Sequence, residues 1–264
     1  MTLATINKPK PAGLARRQVA ERLLLTMSAG AVNAGAFLAC QRFVSHVTGT
    51  VTLIGVDFGS WWLVAQYVLV LLCFLLGAVI AMFLLALQPA DRYPAVPLRL
   101  VAGLVALVAP LGYAGLFGPF GTTVETPGDF VLLSLLSFAM GLLNATVAGS
   151  AHINTRVTHL TGHATELGMN LARACLARGE ERMRAARTGG LLAGKIFSFA
   201  FGAASMVLMV RWGGYAAFLM AAGLTVLASE LGRTVHEPLI SPSRPEPEWR
   251  ADLSLSNERP QPSF

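Results

Sequence analysis

The sequence predicts an all-α integral membrane protein of six transmembrane helices, arranged as two inverted three-helix repeats with broken or re-entrant segments after helices 1 and 4. Three observations carry this prediction: a composition too poor in charge for a soluble globule, six long apolar stretches, and an internal repeat. Charged residues make up 13% of the 264 and hydrophobic ones 54%, whereas a soluble domain carries about 25% charged residues. The basic balance, net +6, does not point to nucleic acid, because the Lys and Arg residues lie between apolar runs instead of forming one face.

Crossing about 30 Å of hydrocarbon takes roughly 20 mostly apolar residues in a helix. The first such stretch is Leu23 to Cys40, uncharged, with Thr26, Ser28 and Asn33 as its polar groups; the second is Trp61 to Leu87, with Gln66 its main polar residue. Leu100 to Phe117 follows, expected to kink at Pro110, then Phe130 to Ala151. The last two are Gly189 to Val210, interrupted by Lys195, and Trp212 to Ser229. Helices are required because lipid offers backbone groups no hydrogen-bond partner, and the runs lack the alternation of a barrel strand. Arg16, Arg17 and Arg22 before an apolar run imitate a signal peptide, but bulky Phe37 and Leu38 stand where a cleavage site wants small residues.

The positive-inside rule sets the orientation. With residue 1 on the cytoplasmic side, all Lys and Arg residues except Arg42 and Arg211 fall in cytoplasmic segments or, for Lys195, just beyond one, and the third loop, Gly118 to Asp129, holds Glu125 and Asp129 without a cation. Both termini are therefore expected in the cytoplasm. The domain reading is a disordered amino-terminal segment (1–20), a first three-helix repeat (21–118), an outer connecting loop (119–129), a second repeat (130–235) and a disordered, proline-rich tail (236–264).

The repeat is the most informative feature. Val44-Ser-His-Val-Thr-Gly-Thr-Val-Thr-Leu-Ile-Gly55 aligns without gaps to Val157-Thr-His-Leu-Thr-Gly-His-Ala-Thr-Glu-Leu-Gly168, and half the aligned positions are identical. Upstream, Gly30-Ala-Val-Asn33-Ala pairs with Gly141-Leu-Leu-Asn144-Ala; downstream, Phe74-Leu-Leu-Gly77-Ala pairs with Phe199-Ala-Phe-Gly202-Ala. Three spans per repeat is an odd number, so the second copy enters the membrane from the opposite side. Many secondary transporters share that architecture and bind near the midplane on interrupted helices. Leu23 to Phe58 as one helix would run about 54 Å, so the chain must break near Gln41-Arg42, leaving Phe43 to Phe58 in the interface or re-entering the membrane.

Candidate pathway residues follow from the repeat, each beside a simpler reading. Thr48-Gly49-Thr50 and Thr161-Gly162-His163 could expose amides and hydroxyls to an ion or polar solute at a sharp turn, or serve as plain turns before surface helices. Asn33 and Asn144 match in position and could read a substrate or hydrogen-bond between helices. His46 and His159 match, and His159 and His163 share a helix face, but no acid or thiol stands at ligand spacing around them, so packing is the commoner role and no metal site is expected. Lys195 lies inside an apolar run with Glu166, inside the second repeat, as a candidate partner; intramembrane charge marks function, although snorkelling to the cytoplasmic face is the commoner fate of such a lysine.

Cys40, Cys73 and Cys175 form neither a disulfide framework nor a zinc spacing. No Walker loop, dinucleotide fingerprint, nucleophile elbow or zincin motif occurs, and Arg173 to Arg187 reads as a basic amphipathic stretch near anionic lipid. No cofactor is expected.

On Asn33 with its small neighbours, Val44 to Gly55, Phe74 to Gly77, and Thr161-Gly162, the sequence resembles the YoaK-like family of bacterial inner-membrane proteins, domain-of-unknown-function 1275, over about residues 20–232. The chain departs from the family pattern at Thr50, where an Asn is usual. The resemblance implies a six-helix fold in the bacterial inner (plasma) membrane and supplies no reaction. The leading functional expectation is a small-solute or ion secondary transporter or permease. A non-transporting scaffold or assembly factor is the alternative, and a membrane-embedded enzyme ranks last because no acid, base and nucleophile converge. The expected partners are the lipid bilayer and a small solute or ion, not nucleic acid, with a homo-oligomer left open.

Overall fold

The computed structural model describes residues 12–89, 92–121, 126–150 and 157–236, and their regular secondary structure is all helix, without a strand. The expected tail from residue 237 and Glu125 of the outer loop lie outside the described residues. The helices are α1 (Ala12–Cys40), α2 (Val47–Val56), α3 (Trp61–Ala86), α4 (Ala95–Ala106), α5 (Val108–Tyr113), α6 (Pro127–Gly149), α7 (Leu160–Leu176), α8 (Gly179–Gly213) and α9 (Phe218–His236). Among the described residues, five helical stretches are long and apolar enough to cross a membrane: Arg16–Cys40, Trp61–Ala86, Ala95–Tyr113, Pro127–Gly149 and Gly179–Val235. The chain is thus an all-helical membrane protein. The fifth stretch merges the two last apolar segments of the sequence.

The breaks have local causes. Helix α1 starts at Ala12, well before the apolar run and inside the stretch expected to be disordered, and ends where Gln41 takes a left-handed φ of 56°, a conformation that costs a side-chain-bearing residue about 1 kcal/mol. The α4–α5 step falls at Leu107, one turn ahead of Pro110, whose ring cannot accept an unbroken helix behind it. Helix α6 opens on Pro127 behind a capping box, the Thr126 side chain accepting from the Asp129 amide while the Asp129 carboxylate accepts from the Thr126 amide. Gly214, at φ 47°, ends α8 and leads through a 3₁₀ turn (Gly214–Ala217) into α9.

Backbone contacts fix the running directions. Leu23 meets Ser198 and Gly35 meets Met206, so α1 and α8 are parallel. Gly141 meets Phe74 and Gly149 meets Met82, so α6 and α3 are parallel too. Ser28 bonds Ala221 and Thr225 while Gly35 faces Phe218, so α9 runs against α1. It also runs against α4–α5, with Arg99 on Glu230 and Gly112 on Tyr215. The chain therefore reverses between α8 and α9.

The two parallel pairs are joined by glycines. Cβ atoms built on Gly30 and Gly202 would overlap the carbonyls of Phe199 and Met27, and those built on Gly141 and Gly77 would overlap the carbonyls of Phe74 and Phe138. Small residues that let backbones touch are how helices associate in lipid, where no hydrophobic force drives them together. The first helix of each sequence repeat thus packs on the second helix of the other.

The Thr-Gly elements are not turns. Thr48-Gly49-Thr50 and Thr161-Gly162-His163 lie in the first turns of α2 and α7, and neither glycine has a positive φ. Glycine is permitted the left-handed region but does not require it, and the preceding histidines, His46 at φ −92°, ψ 70° and His159 at φ −84°, ψ 60°, carry the non-helical backbone instead.

Candidate functional site

The candidate residues gather into two polar clusters at opposite ends of the bundle. The C-terminal end of α1 meets the 118–121 turn, where the Gly121 amide donates to the Ala39 carbonyl, and Gly128 at the start of α6 packs on Leu116 and Phe117. The other end of α6 packs on Met82 and Leu85. Asn33 therefore sits toward one end and Asn144 toward the other.

In the first cluster the Asn33 Oδ1 accepts from the Ser45 amide at 3.2 Å and the Ser45 hydroxyl at 3.0 Å, while its Nδ2 donates to the Ala29 carbonyl at 2.9 Å. The amide thus clamps the chain just after the α1 break. Next to it opens a cavity of about 220 Å³ bordered by Arg42, His46, Gly49, Thr50, Tyr67 and Val70, among others. Arg42 Nη2 donates to the Tyr67 hydroxyl at 2.9 Å, and that hydroxyl donates to Asp57 Oδ2 at 3.0 Å. The guanidinium carbon also stands 5.5 Å from the Tyr67 ring centroid, within cation–π range. Phe43 stacks on Phe37 and meets the His46 ring edge-on. Burial pushes the His46 imidazole below its ordinary pKa, so the ring is neutral at pH 7. Thr48 lies on the same helix, its carbonyl accepting from the Thr52 hydroxyl at 2.9 Å.

In the second cluster the Asn144 Oδ1 accepts from the Thr158 hydroxyl at 2.9 Å. Thr158 is the repeat partner of Ser45, so the same clasp is built twice. The copies differ in one respect: the Asn144 Nδ2 is buried with no hydrogen-bond partner, where the Asn33 Nδ2 has one. Beyond the clasp, His163 is buried on α7, its Nδ1 also without a partner. Burial first, and Lys195 second, push the His163 ring below its ordinary pKa, against the opposing pull of Glu166. Lys195, on α8, is 5% exposed and does not snorkel to water; His163 and Glu166 of α7 and Arg22 of α1 lie within electrostatic reach of it. Thr161, Gly162 and Glu166 share α7, and a Cβ on Gly162 would come within 2.6 Å of His159 Nδ1. Among the described residues no three His, Cys, Asp or Glu side chains gather as a metal site would need.

Arg42, Asp57 and Tyr67 escape sequence reasoning because their contacts bridge two helices. The one signal for Arg42 is its being one of two cations outside the segments expected to be cytoplasmic. Glu21 and Tyr93 were likewise unforeseen: both are buried, and the Tyr93 hydroxyl donates to Glu21 Oε1 at 2.7 Å. Burial and this carboxylate raise the Tyr93 pKa far above its usual value, which keeps the hydroxyl protonated as the donor.

The family model described as "Protein of unknown function (DUF1275)" matches residues 22–230, most of the chain. No curated protein and no solved structure matches. The chain belongs to the DUF1275 family.

Proposed function

We propose that this DUF1275 member is a six-span protein of two inverted three-helix halves, resident in the bacterial inner (plasma) membrane with both termini cytoplasmic, and that it is a secondary transporter or permease for a small solute or ion. The reversal at Gly214 splits the Gly179–Val235 stretch into two helices of opposite direction, which supports six spans. The crossed glycine seams, α1 with α8 and α6 with α3, are what a pseudo-twofold relation between the halves requires.

One observation carries the transport reading: the same Asn–hydroxyl clasp occurs at both ends, Asn33 with Ser45 and Asn144 with Thr158, each followed by a histidine that starts a short helix. Thr48, Gly49, Thr50 and His46 line or flank the outer half-site. Thr161, Gly162, His163, His159, Glu166 and Lys195 form the inner one, where a partnerless amide nitrogen and a partnerless imidazole nitrogen can serve a passing solute.

A second reading, a non-transporting scaffold or assembly factor, draws support from the glycine seams, which pack backbone on backbone without a polar channel. Uptake into liposomes holding the purified chain separates the two. A panel of small ions and polar solutes is screened, and Gly49→Phe is added as a variant that fills the outer cavity from an open position. Transport predicts uptake of one solute class that Gly49→Phe abolishes while the protein stays folded. No uptake above protein-free vesicles across the panel favours the scaffold.

A further inference from the structure

A second cavity, of about 530 Å³, lies between α3 and α6 on a side of the bundle otherwise made of exposed apolar residues such as Leu72, Val79 and Phe83. Its size falls within the roughly 300–1,000 Å³ of small-ligand sites. Its walls are almost wholly apolar, Leu69, Cys73, Leu135 and Phe138 among them, with Trp62 at the rim. Two polar groups break that character: Gln66 is 7% exposed, and its Oε1 and the Ser134 hydroxyl are both buried without a hydrogen-bond partner. Phe74 lies against Gly141 in this parallel pair, and carrying that register back toward the helix starts sets Gln66 beside Ser134. Both therefore stand at one level, within the first two turns of their helices, with apolar wall below them.

A buried carbonyl and a buried hydroxyl left unpaired are costly, more so where no water can reach them. A ligand that relieves both must offer a donor to the carbonyl and either a donor or an acceptor to the hydroxyl at one point, with an apolar body below it. A hydroxyl on a long hydrocarbon chain does this with a single oxygen, donating to Gln66 Oε1 and accepting from Ser134. A second copy of the chain, docking through its leucine and phenylalanine stripe, would leave both groups unpaired. We propose that this cleft binds a single-chain lipid with a hydroxyl headgroup, entering sideways from the bilayer, independently of whether the protein transports.

The full chain in phosphatidylcholine nanodiscs would be photolabelled with a 16-carbon primary alcohol carrying a diazirine in its chain, and with the methyl ether of the same molecule, which cannot donate. Peptide mapping should find the alcohol's label around Cys73 and Phe138, with the ether about tenfold weaker, the range one lost hydrogen bond allows. Gln66→Leu combined with Ser134→Ala should erase that preference. Val131→Trp, at a rim position 45% exposed, should fill the cleft and abolish labelling while the protein stays folded. Equal labelling by alcohol and ether in the unaltered protein, label that survives Val131→Trp, or label spread along Leu72 and Val79 would each overturn the site. Crosslinks joining two copies through the cleft would assign it to a homo-oligomer and overturn it as well.

Discussion

A methyl group on Gly30 would overlap the carbonyl oxygen of Phe199, so α1 and α8 touch backbone to backbone. Gly202 meets Met27 in the same crossing, and Gly141 and Gly77 repeat the arrangement on Phe74 and Phe138. Valine at any of the four should destabilise the folded protein by about 1–3 kcal/mol or more, the cost of overpacking. Alanine at Gly55 or Gly168, where nothing stands nearby, should leave stability unchanged or raise it by up to about 1 kcal/mol. Thermal unfolding in detergent would measure both; a tolerated Gly30→Val would refute the backbone contact.

The two Thr-Gly elements should respond differently to the same change. A Cβ on Gly49 meets only the His46 Cβ at 3.8 Å, whereas one on Gly162 drives into the His159 ring. Gly49→Ala should be neutral or slightly stabilising, and Gly162→Ala should cost stability that His159→Ala restores. Equal effects at the two positions in a double-mutant cycle would contradict the geometry.

Asn33→Ala removes the acceptor for the Ser45 amide and hydroxyl and should cost about 1–3 kcal/mol, because the buried amide group is left unmatched. Ser45→Ala keeps the backbone donor and should cost about 1 kcal/mol or less. Chemical unfolding of both variants would test the ordering, and an Asn33→Ala protein as stable as Ser45→Ala would reverse it.

Stability should fall as the medium is acidified through the histidine range. His163 has its pKa lowered by burial and by Lys195, so the unfolded chain, with an ordinary value near 6.5, binds the proton more readily than the folded one. The stabilising contribution is fully present above about pH 6.5 and is lost as pH drops toward the folded value. His163→Gln should flatten this part of the pH–stability curve, leaving the slope from His46, which is shifted in the same direction. An unchanged slope in His163→Gln would show that the ring titrates normally.

Reporter fusions at Thr123 and at Phe264 address orientation. The distribution of cations predicts an exported Thr123 reporter and a cytoplasmic Phe264 reporter. Reporters at Thr123 and Phe264 found on the same side would remove the odd number of spans in the second half on which the inverted relation rests.

The long apolar helices and the likeness of the two Thr-Gly segments were legible because both depend on local composition: apolar length sets a helix able to cross a membrane, and Val44–Gly55 resembles Val157–Gly168 residue by residue. That likeness extends to backbone, since His46 and His159 precede their helices with nearly the same angles. The helicity of Thr48-Gly49 and Thr161-Gly162 was not legible, because a glycine allows a turn and a helix alike, and neighbouring helices decide which. Partnerships such as Arg42 with Tyr67 and Asp57, or Glu21 with Tyr93, depend on which helix lies beside which, and one sequence without its fold carries no such record. The burial of Lys195 has the same origin: α1 and α7 both pack along α8 and bury a side chain that composition alone would leave to snorkel.

Helix α8 has 35 residues, about 52 Å of unbroken rod, while a bilayer core asks for about 30 Å. The surplus, with α7 folded along it, makes a stiff lever pivoting where Gly202 touches Met27. Were α8 to tilt by about 10° around that fulcrum, the Gly179 end, roughly 35 Å away, would swing by about 6 Å. Spin labels at Met183 and Val96, both exposed, would register such a swing, and a single fixed distance under all ligand conditions would exclude it. Motion too small to see at the seam would then be read out, magnified, at the Gly179 end.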